Sequence, residues 1–214
     1  MHVLAINGSP RKNWYTATLL EQALAGAAET GAETELVHLY DLNFKGCTSC
    51  FACKRSGGKS EGRCAYKDEA TPVLERIRST VDLLILGSPI YFGAMSGEMR
   101  SFLERLLFAP FVYTQPISSL FPRRIKTACI YTMNLDEADS KALGYEQMFQ
   151  STASFLTTIF GFSETLCCYD TCQFPDYSKV VMEYMDAAAK LARKEQIFPE
   201  DCRKAFALGR RLAG

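Results

Sequence analysis

The sequence predicts a doubly wound α/β fold, with a five-stranded parallel sheet in strand order 2-1-3-4-5 inside a three-layer α/β/α arrangement. Short apolar segments alternate five times with longer segments of helical periodicity. The segment 81–86 is almost continuously apolar, as expected of a strand that helices cover on both faces. No internal repeat, low-complexity segment or linker interrupts the chain, so we expect a single domain over residues 1–214.

Composition restricts the classes of function open to the chain. Its 214 residues carry 24 basic and 24 acidic side chains, a formal net charge of +0. The chain has no excess of basic side chains with which to bind nucleic acid. No apolar run approaches the ~20 residues of a membrane-spanning helix. The first residues lack the basic and apolar regions of a signal peptide. We therefore expect a cytoplasmic protein with neither nucleic-acid nor membrane partners.

The first predicted strand, 3–7, leads through a polar loop into a predicted helix over 16–30, which Gly31 ends. A helix N-terminus presents unpaired N–H groups and the positive end of a dipole, so this loop suits a phosphate-sized anion. The candidate ligands are Ser9, Arg11, Lys12, Thr16 and Thr18. The loop is neither a Walker A motif nor a dinucleotide fingerprint. The alternative is that its hydroxyls only cap the helix.

The remaining elements alternate as a doubly wound fold requires. A right-handed crossover makes the first two strands parallel neighbours. The predicted strands are 35–39, 81–86, 125–132 and 164–169, and the predicted helices are 68–79, 98–107, 145–159 and 176–193, with a short basic helix at the end.

The loop 87–97 follows the central strand, at the sheet edge where open parallel sheets bind ligands. Tyr91 and Phe92 could stack on a planar ring, and Gly93 lets the backbone approach a flat ligand. The alternative is that both rings fill the core or an interface. A further loop at the same edge begins with Met133-Asn134.

Four of the nine cysteines lie within 18 residues, in a loop over 47–64 that follows the second strand: Cys47, Cys50, Cys53 and Cys64. Cys-x2-Cys-x2-Cys is the spacing with which thiolates bind one face of a [4Fe–4S] cluster, and a later cysteine completes the set. Zinc bound by four cysteines and free thiols remain alternatives.

Three segments occur in this order: Gly-Ser-Pro-Arg-Lys at 8–12, the cysteine loop 47–64, and Ser-Pro-Ile-Tyr-Phe-Gly at 88–93. Together they resemble the flavodoxin-like NAD(P)H-dependent FMN reductase family, in particular its branch related to iron-sulfur flavoproteins. The resemblance runs from the first strand to the final helix. It implies FMN as cofactor, NAD(P)H as co-substrate and, at the cysteine loop, a [4Fe–4S] cluster.

The resemblance also implies which residues contact FMN. The phosphate would lie on Ser9, Arg11, Thr16 and Thr18. The ring would lie against Pro89, Ile90, Tyr91, Phe92 and Gly93, flanked by Thr132 and Asn134. Relatives usually carry Gly-Asn where this sequence has Trp14-Tyr15. These two rings would cover the ribityl chain, contact a partner subunit or weaken the phosphate site.

Three functions are consistent with these residues. The first is an oxidoreductase in which NAD(P)H reduces bound FMN and a quinone, flavin, nitro compound or other small acceptor receives the electrons, with no catalytic acid or base assigned. The second is an iron-sulfur flavoprotein that carries electrons between FMN, a [4Fe–4S] cluster and a protein partner such as ferredoxin. The third is a descendant that has lost FMN. The apolar segment 108–113 predicts a homodimer or homotetramer, or else a lid.

Overall fold

The computed structural model describes residues 1–183 and 186–214. Its main sheet places five parallel strands in the order β2-β1-β3-β7-β8, which confirms the predicted order. The strands are β1 (His2–Asn7), β2 (Glu33–His38), β3 (Leu83–Tyr91), β4 (Ala94–Met95), β5 (Phe111–Val112), β6 (Ser118–Ser119), β7 (Ile125–Thr132) and β8 (Gly161–Cys168). The short strand β4 pairs with the end of β3, and β5 pairs with β6 in a separate hairpin.

Helices cover both faces of this sheet. They are α1 (Tyr15–Ala28), α2 (Ala70–Ser79), α3 (Gly97–Phe108), α4 (Glu137–Ala142), α5 (Tyr145–Phe160), α6 (Ala187–Gln196) and α7 (Phe198–Ala213). Successive residues of a strand point to opposite faces, so Leu4 and Ile6 pack with α2, α3 and α5, whereas Val3 and Ala5 pack with α1 and α7. In the described residues, no helix is both long and apolar enough to cross a bilayer.

Two glycines bring the backbones of α1 and α7 into close contact. A Cβ placed on Gly26 would lie 2.0 Å from the carbonyl oxygen of Phe206. A Cβ on Gly209 would lie 1.8 Å from the carbonyl oxygen of Ala23. Side chains of any size would separate the two helices, so these positions determine how closely α7 covers the sheet.

The central strand is longer than the predicted 81–86. β3 continues through Tyr91 because Ser88 and Pro89 still pair in register with Tyr131 and Thr132 of β7. The predicted loop 87–97 is therefore a strand end followed by the β3–β4 hairpin. This extension carries the aromatic residues beyond the edge of the sheet.

The predicted helix over 176–193 begins too early, because α6 covers only its last part. Asp176 instead precedes a single turn of 3-10 helix, Tyr177–Lys179. Helix α6 begins after Asp186, whose carboxylate accepts hydrogen bonds from two backbone N–H groups of the first turn. Residues 184 and 185, inside the predicted helix, lie outside the described residues. The short basic helix expected at the end is the 16-residue α7.

Candidate functional site

A cleft of about 130 Å³ opens at the carboxyl ends of β1, β3 and β7. This is the switch point in strand order, where doubly wound sheets bind their ligands. The cleft brings together eight of the twelve cofactor-binding residues predicted from sequence: Ser9, Arg11, Thr16, Pro89, Ile90, Tyr91, Thr132 and Asn134.

The other four predicted residues lie off the cleft wall. Lys12 forms an exposed ion pair with Asp41, with 2.6 Å between Nζ and Oδ1. Thr18 is half-buried further along α1. Phe92 and Gly93 form the turn of the β3–β4 hairpin, beside the cleft mouth. These four positions are therefore weaker candidates as direct ligands.

The hydroxyls of the first loop do not cap α1. Ser9 Oγ accepts a hydrogen bond from the N–H of Arg11 at 3.1 Å, and Thr16 Oγ1 lies 2.8 Å from Thr132 Oγ1. Trp14 is the N-cap residue, and within the described chain no side chain caps the helix there. The alternative in which these residues merely cap the helix is therefore not what the structure shows. The positive end of α1 and its first N–H groups remain suited to an anion.

The loop after β8 forms the far wall of the cleft, a role that no sequence pattern indicates. Trp14 Nε1 donates a hydrogen bond to the carbonyl oxygen of Cys172 at 3.0 Å. Arg11 donates to the carbonyl oxygen of Gln173. The Trp14 ring also has two cations near it, the guanidinium of Arg11 at 5.4 Å and the ammonium of Lys194 at 5.0 Å from its centre. The first and last loops are thus connected across the cleft.

The two tyrosines at the cleft stay protonated near neutral pH. Burial raises the pKa of Tyr15, and its hydrogen bond with Cys172 adds to this. Burial likewise raises the pKa of Tyr91, although nearby Arg11 opposes the shift. Tyr15 packs edge-on against Phe198, with 4.4 Å between ring centres. These phenols can donate hydrogen bonds and offer apolar surface, but they are not bases at this site.

The β3–β4 hairpin presents an aromatic ring in an unfavourable backbone conformation. Phe92 and Gly93 are its two turn residues, with φ of 50° and 78°. Positive φ at both positions is the type I′ pattern, which favours Asn-Gly. A bulky residue there costs about 1–2 kcal/mol, yet Phe92 is fully exposed. Strain of this kind is concentrated at functional sites, so Phe92 is a candidate contact for a ligand at the cleft mouth.

Replacing Phe92 by asparagine is expected to raise the free energy of unfolding by about 1 kcal/mol, since asparagine tolerates left-handed conformations. Urea denaturation of the cofactor-free protein measures the change. Phe92→Ala is the matched control, because alanine also removes the ring but keeps a Cβ that disfavours positive φ. Equal stabilisation by both variants would show that the ring, and not the backbone strain, is responsible.

The four clustered cysteines line one small concavity beside α3. Cys53 is buried, Cys47 and Cys64 are half-buried and Cys50 is exposed, and all four are free thiols. Burial raises the pKa of Cys53, while Lys54 opposes the shift. In the described part of the chain, no group of three His, Cys, Asp or Glu side chains is placed to hold a metal ion.

The sequence is similar to those of known proteins. A family model described as NADPH-dependent FMN reductase matches residues 1–118. An iron-sulfur flavoprotein from Methanocaldococcus jannaschii is 37% identical over 105 residues, covering 49% of this chain and 51% of that protein. An iron-sulfur flavoprotein from Archaeoglobus fulgidus is also 37% identical over 105 residues, covering 49% of this chain and 48% of that protein. The alignments span about half the length of these relatives.

Solved structures resemble the whole chain. An NAD(P)H:quinone oxidoreductase from Methanothermobacter marburgensis superposes with a TM-score of 0.72 and 16% identity, covering 99% of this chain and 98% of that one. An azoreductase from Bacillus anthracis superposes with a TM-score of 0.67 and 16% identity, covering 99% of each chain. At such identities the likeness establishes the flavodoxin-like fold alone.

The matched region contains the first loop, the cysteine loop and the β3–β4 hairpin, and it makes up more than half of the 214 residues. The chain belongs to the NADPH-dependent FMN reductase family.

Proposed function

We propose that the chain is an NAD(P)H-dependent FMN oxidoreductase and that the cleft at the carboxyl edge of the sheet binds FMN. The observation that carries the proposal is the N-terminus of α1, which no described side chain caps and which lies among the hydroxyls of Ser9, Thr16 and Thr132. These groups, with the Arg11 guanidinium, are the donors that a terminal phosphate needs.

The size and the lining of the cleft support the binding of one end of FMN. At about 130 Å³, it is smaller than the roughly 300–1,000 Å³ of pockets that enclose a drug-sized ligand. It would therefore enclose only one end of FMN, and we assign that end to the phosphate. The apolar surface of Pro89, Ile90 and Tyr91 would contact the ring at the mouth, with Phe92 and Gly93 beside it.

Bound FMN would supply the hydride-accepting centre. The residues of the chain would then bind and orient it: Arg11 and the α1 N-terminus by charge, Thr16 and Thr132 by hydrogen bonds, and Tyr91 by contact with the ring. Trp14 would shield the site from water, because its ring spans the gap between the first and last loops. No described side chain at the cleft is assigned a proton-transfer role.

Anaerobic turnover tests the reaction. The FMN-loaded protein should oxidise NADH or NADPH when a quinone, an azo dye or a nitroaromatic compound is supplied, and the cofactor-free protein should not. Turnover with one acceptor class alone would identify the acceptor. Absence of turnover with every acceptor, in protein that does bind FMN, would reject the reductase and favour the carrier described next.

The cysteine loop favours a second candidate, an electron carrier with an iron-sulfur cluster. All four thiols surround one concavity, and the two relatives compared are iron-sulfur flavoproteins by name. The concavity measures about 20 Å³, little more than one water needs. The loop would therefore have to widen and bring its thiols together around a cluster, although four cysteines are the type and number of ligands that a [4Fe–4S] cluster uses.

Helix α3 connects the cysteine loop to the proposed FMN site. Its N-cap residue Ser96 donates a hydrogen bond to the carbonyl oxygen of Gly8 at 2.6 Å, and its last turns contact the cysteines. The nine helical steps from Ser96 to Arg105 span about 14 Å at the helical rise. The absorption spectrum of anaerobically purified protein, with assays for iron and sulfide, tests this candidate. About four irons per chain support it, and iron-free protein rejects it.

We further propose that residues 1–214 form one domain that assembles as a homodimer or homotetramer. An apolar groove of about 380 Å³ runs between α3 and α5, and Phe108, Phe111 and Tyr113 of the predicted interface segment line it. Gel filtration should give a multiple of the 23.9 kDa chain mass. A clean monomer would contradict the assembly.

A further inference from the structure

The outer wall of the cleft is made by residues 133–134 after β7 and residues 171–173 after β8. One lysine that does not line the cleft contacts both of these loops. Lys190 lies in the first turn of α6, and its side chain is 10% exposed, so its ammonium group is effectively buried. A buried ammonium is unfavourable unless acceptors match its donors. The acceptors that it has therefore indicate what Lys190 stabilises.

The acceptors of this ammonium come from two different loops. Lys190 Nζ donates to the carbonyl oxygen of Asn134, after β7, at 2.5 Å. It also donates to the carboxylate of Asp170, after β8, with which it forms an ion pair. The carbonyl oxygen of Lys190 accepts a further hydrogen bond from Cys172 Sγ at 3.1 Å. One residue thus contacts the two loops at three positions.

Backbone hydrogen bonds join the same two loops at their bases, where the N–H groups of Asp170 and Thr171 donate to carbonyl oxygens of the loop after β7. The next residue, Cys172, makes different contacts. Its thiol donates to Lys190, and its carbonyl oxygen accepts a hydrogen bond from Trp14 Nε1 at 3.0 Å. Lys190 and Trp14 therefore hold this part of the outer wall from its two sides.

The backbone at Asp170 is a second observation at the same place. Asp170 has a φ of 55°, a left-handed conformation that is uncommon outside glycine and that Asp and Asn tolerate best. Its carboxylate lies 3.8 Å from Arg193 Nε in addition to its ion pair with Lys190. Arg193 also pairs with Asp201 of α7 at 2.8 Å. Charged contacts thus hold this strained turn against α6, and strain of this kind is concentrated at functional sites.

We propose that Lys190 is a positioning residue that holds the outer wall in place for FMN, so that a residue outside the cleft determines part of the FMN affinity. The proposal rests on the proposed binding of FMN in this cleft. Asn134 and Cys172 line the cleft, and Lys190 bonds both. A wall that is fixed before binding is not ordered by the ligand, which reduces the entropy lost on binding. Supporting contacts of this kind keep the groups that touch a ligand in position.

Three variants and one control test this role. Lys190→Met removes the ammonium but keeps a side chain of similar length. Asp170→Asn removes the opposing charge and keeps a residue that tolerates the left-handed conformation. The combined variant tests whether the two side chains act as one unit. Lys126→Met is the matched control, because Lys126 Nζ also donates to a carbonyl oxygen, that of Leu212 at 2.8 Å, but lies near the start of β7, at the sheet edge opposite the cleft.

The Kd for FMN is measured from the quenching of FMN fluorescence, at a temperature at which every variant is fully folded. Lys190→Met should raise this Kd about tenfold or more, since removing one partner of a buried charged pair leaves the other unmatched. Asp170→Asn should raise it several-fold. The combined variant should bind FMN no more weakly than Lys190→Met, because both substitutions break the same contact. Lys126→Met should leave the Kd within a factor of about two, even where it lowers stability.

The emission of Trp14 is a second readout, which needs no cofactor. Trp14 is the single tryptophan of the chain, and it contacts the outer wall through Cys172. Release of the wall should expose the ring to water and shift the emission of cofactor-free Lys190→Met to longer wavelength. Lys126→Met should show no shift. A role of Lys190 in stability alone would leave the emission of the fully folded protein unchanged.

Weaker FMN binding together with the emission shift supports the proposal. Unchanged FMN affinity in Lys190→Met, a loss of affinity without the shift, or losses that multiply in the combined variant would each overturn it. If Lys190→Met does not fold, an unchanged Kd in Asp170→Asn overturns it equally. A wild-type protein that binds no FMN rejects the proposed function and with it the effect on affinity. The emission of the cofactor-free variants then still decides whether Lys190 holds the outer wall.

Discussion

Replacing Thr16 by valine is expected to weaken FMN binding about ten- to a hundredfold. Valine has nearly the same shape but lacks the hydroxyl, which lies at the cleft 2.8 Å from Thr132 Oγ1. A hydrogen bond to a charged group contributes about 1.5–3 kcal/mol, and each 1.4 kcal/mol is tenfold in Kd. The fluorescence of Trp14, the single tryptophan of the chain, reports the binding because its ring lines the cleft.

Thr18→Val is the matched control for this experiment. The family resemblance implies that Thr18 also contacts the phosphate, whereas the structure places it off the cleft wall. We expect the Kd of this variant to stay within a factor of two or so of the wild-type value, the range of an ordinary surface substitution. An equal loss of FMN affinity in the two variants would support the family assignment of Thr18 and contradict its position off the cleft wall. No loss in Thr16→Val would remove Thr16 from the site.

The second large effect concerns stability. Gly209→Ala should lower the free energy of unfolding by about 2 kcal/mol or more, at the upper end of overpacking costs. The added Cβ would lie 1.8 Å from the carbonyl oxygen of Ala23, a backbone atom that cannot turn aside. Alanine is the better helix former by about 1 kcal/mol, so any net loss understates the clash.

Gly97→Ala provides the comparison for that prediction. Gly97 begins α3, and a Cβ there meets no atom within 4 Å. Gly97→Ala should therefore leave the free energy of unfolding unchanged or raise it by up to about 1 kcal/mol. Thermal or urea unfolding of the two variants measures the difference. Stabilisation of both would mean that α1 and α7 are not packed through Gly209 in solution.

The sheet was predictable because its signals are local. Each parallel strand is a short apolar run, and the right-handedness of crossovers limits how such strands can be arranged in one sheet. The first-loop residues were predictable for a similar reason, since Ser9, Arg11 and Thr16 lie between a strand and a helix. The pairing of Ser88 and Pro89 with β7 could not be predicted from the sequence pattern, because strand register depends on a partner that is distant in sequence.

The far wall of the cleft and the C-terminal helices depend on tertiary contacts. Cys172 and Gln173 join the site only because Trp14 and Arg11 reach across to their carbonyl groups. No periodicity marks that contact. The start of α6 did have a local signal, an Asp followed by three alanines at 186–189, which is typical of a helix N-cap.

We propose above all that the N-terminus of α1 and the hydroxyls beside it bind the phosphate of FMN. Parallel titrations of cofactor-free protein with FMN and with riboflavin, followed by Trp14 fluorescence, test it most directly. We expect saturable quenching at micromolar FMN with one site per chain. Binding of riboflavin, which lacks the phosphate, should be at least tenfold weaker. Equal affinity for the two flavins, or no quenching by either, would contradict it.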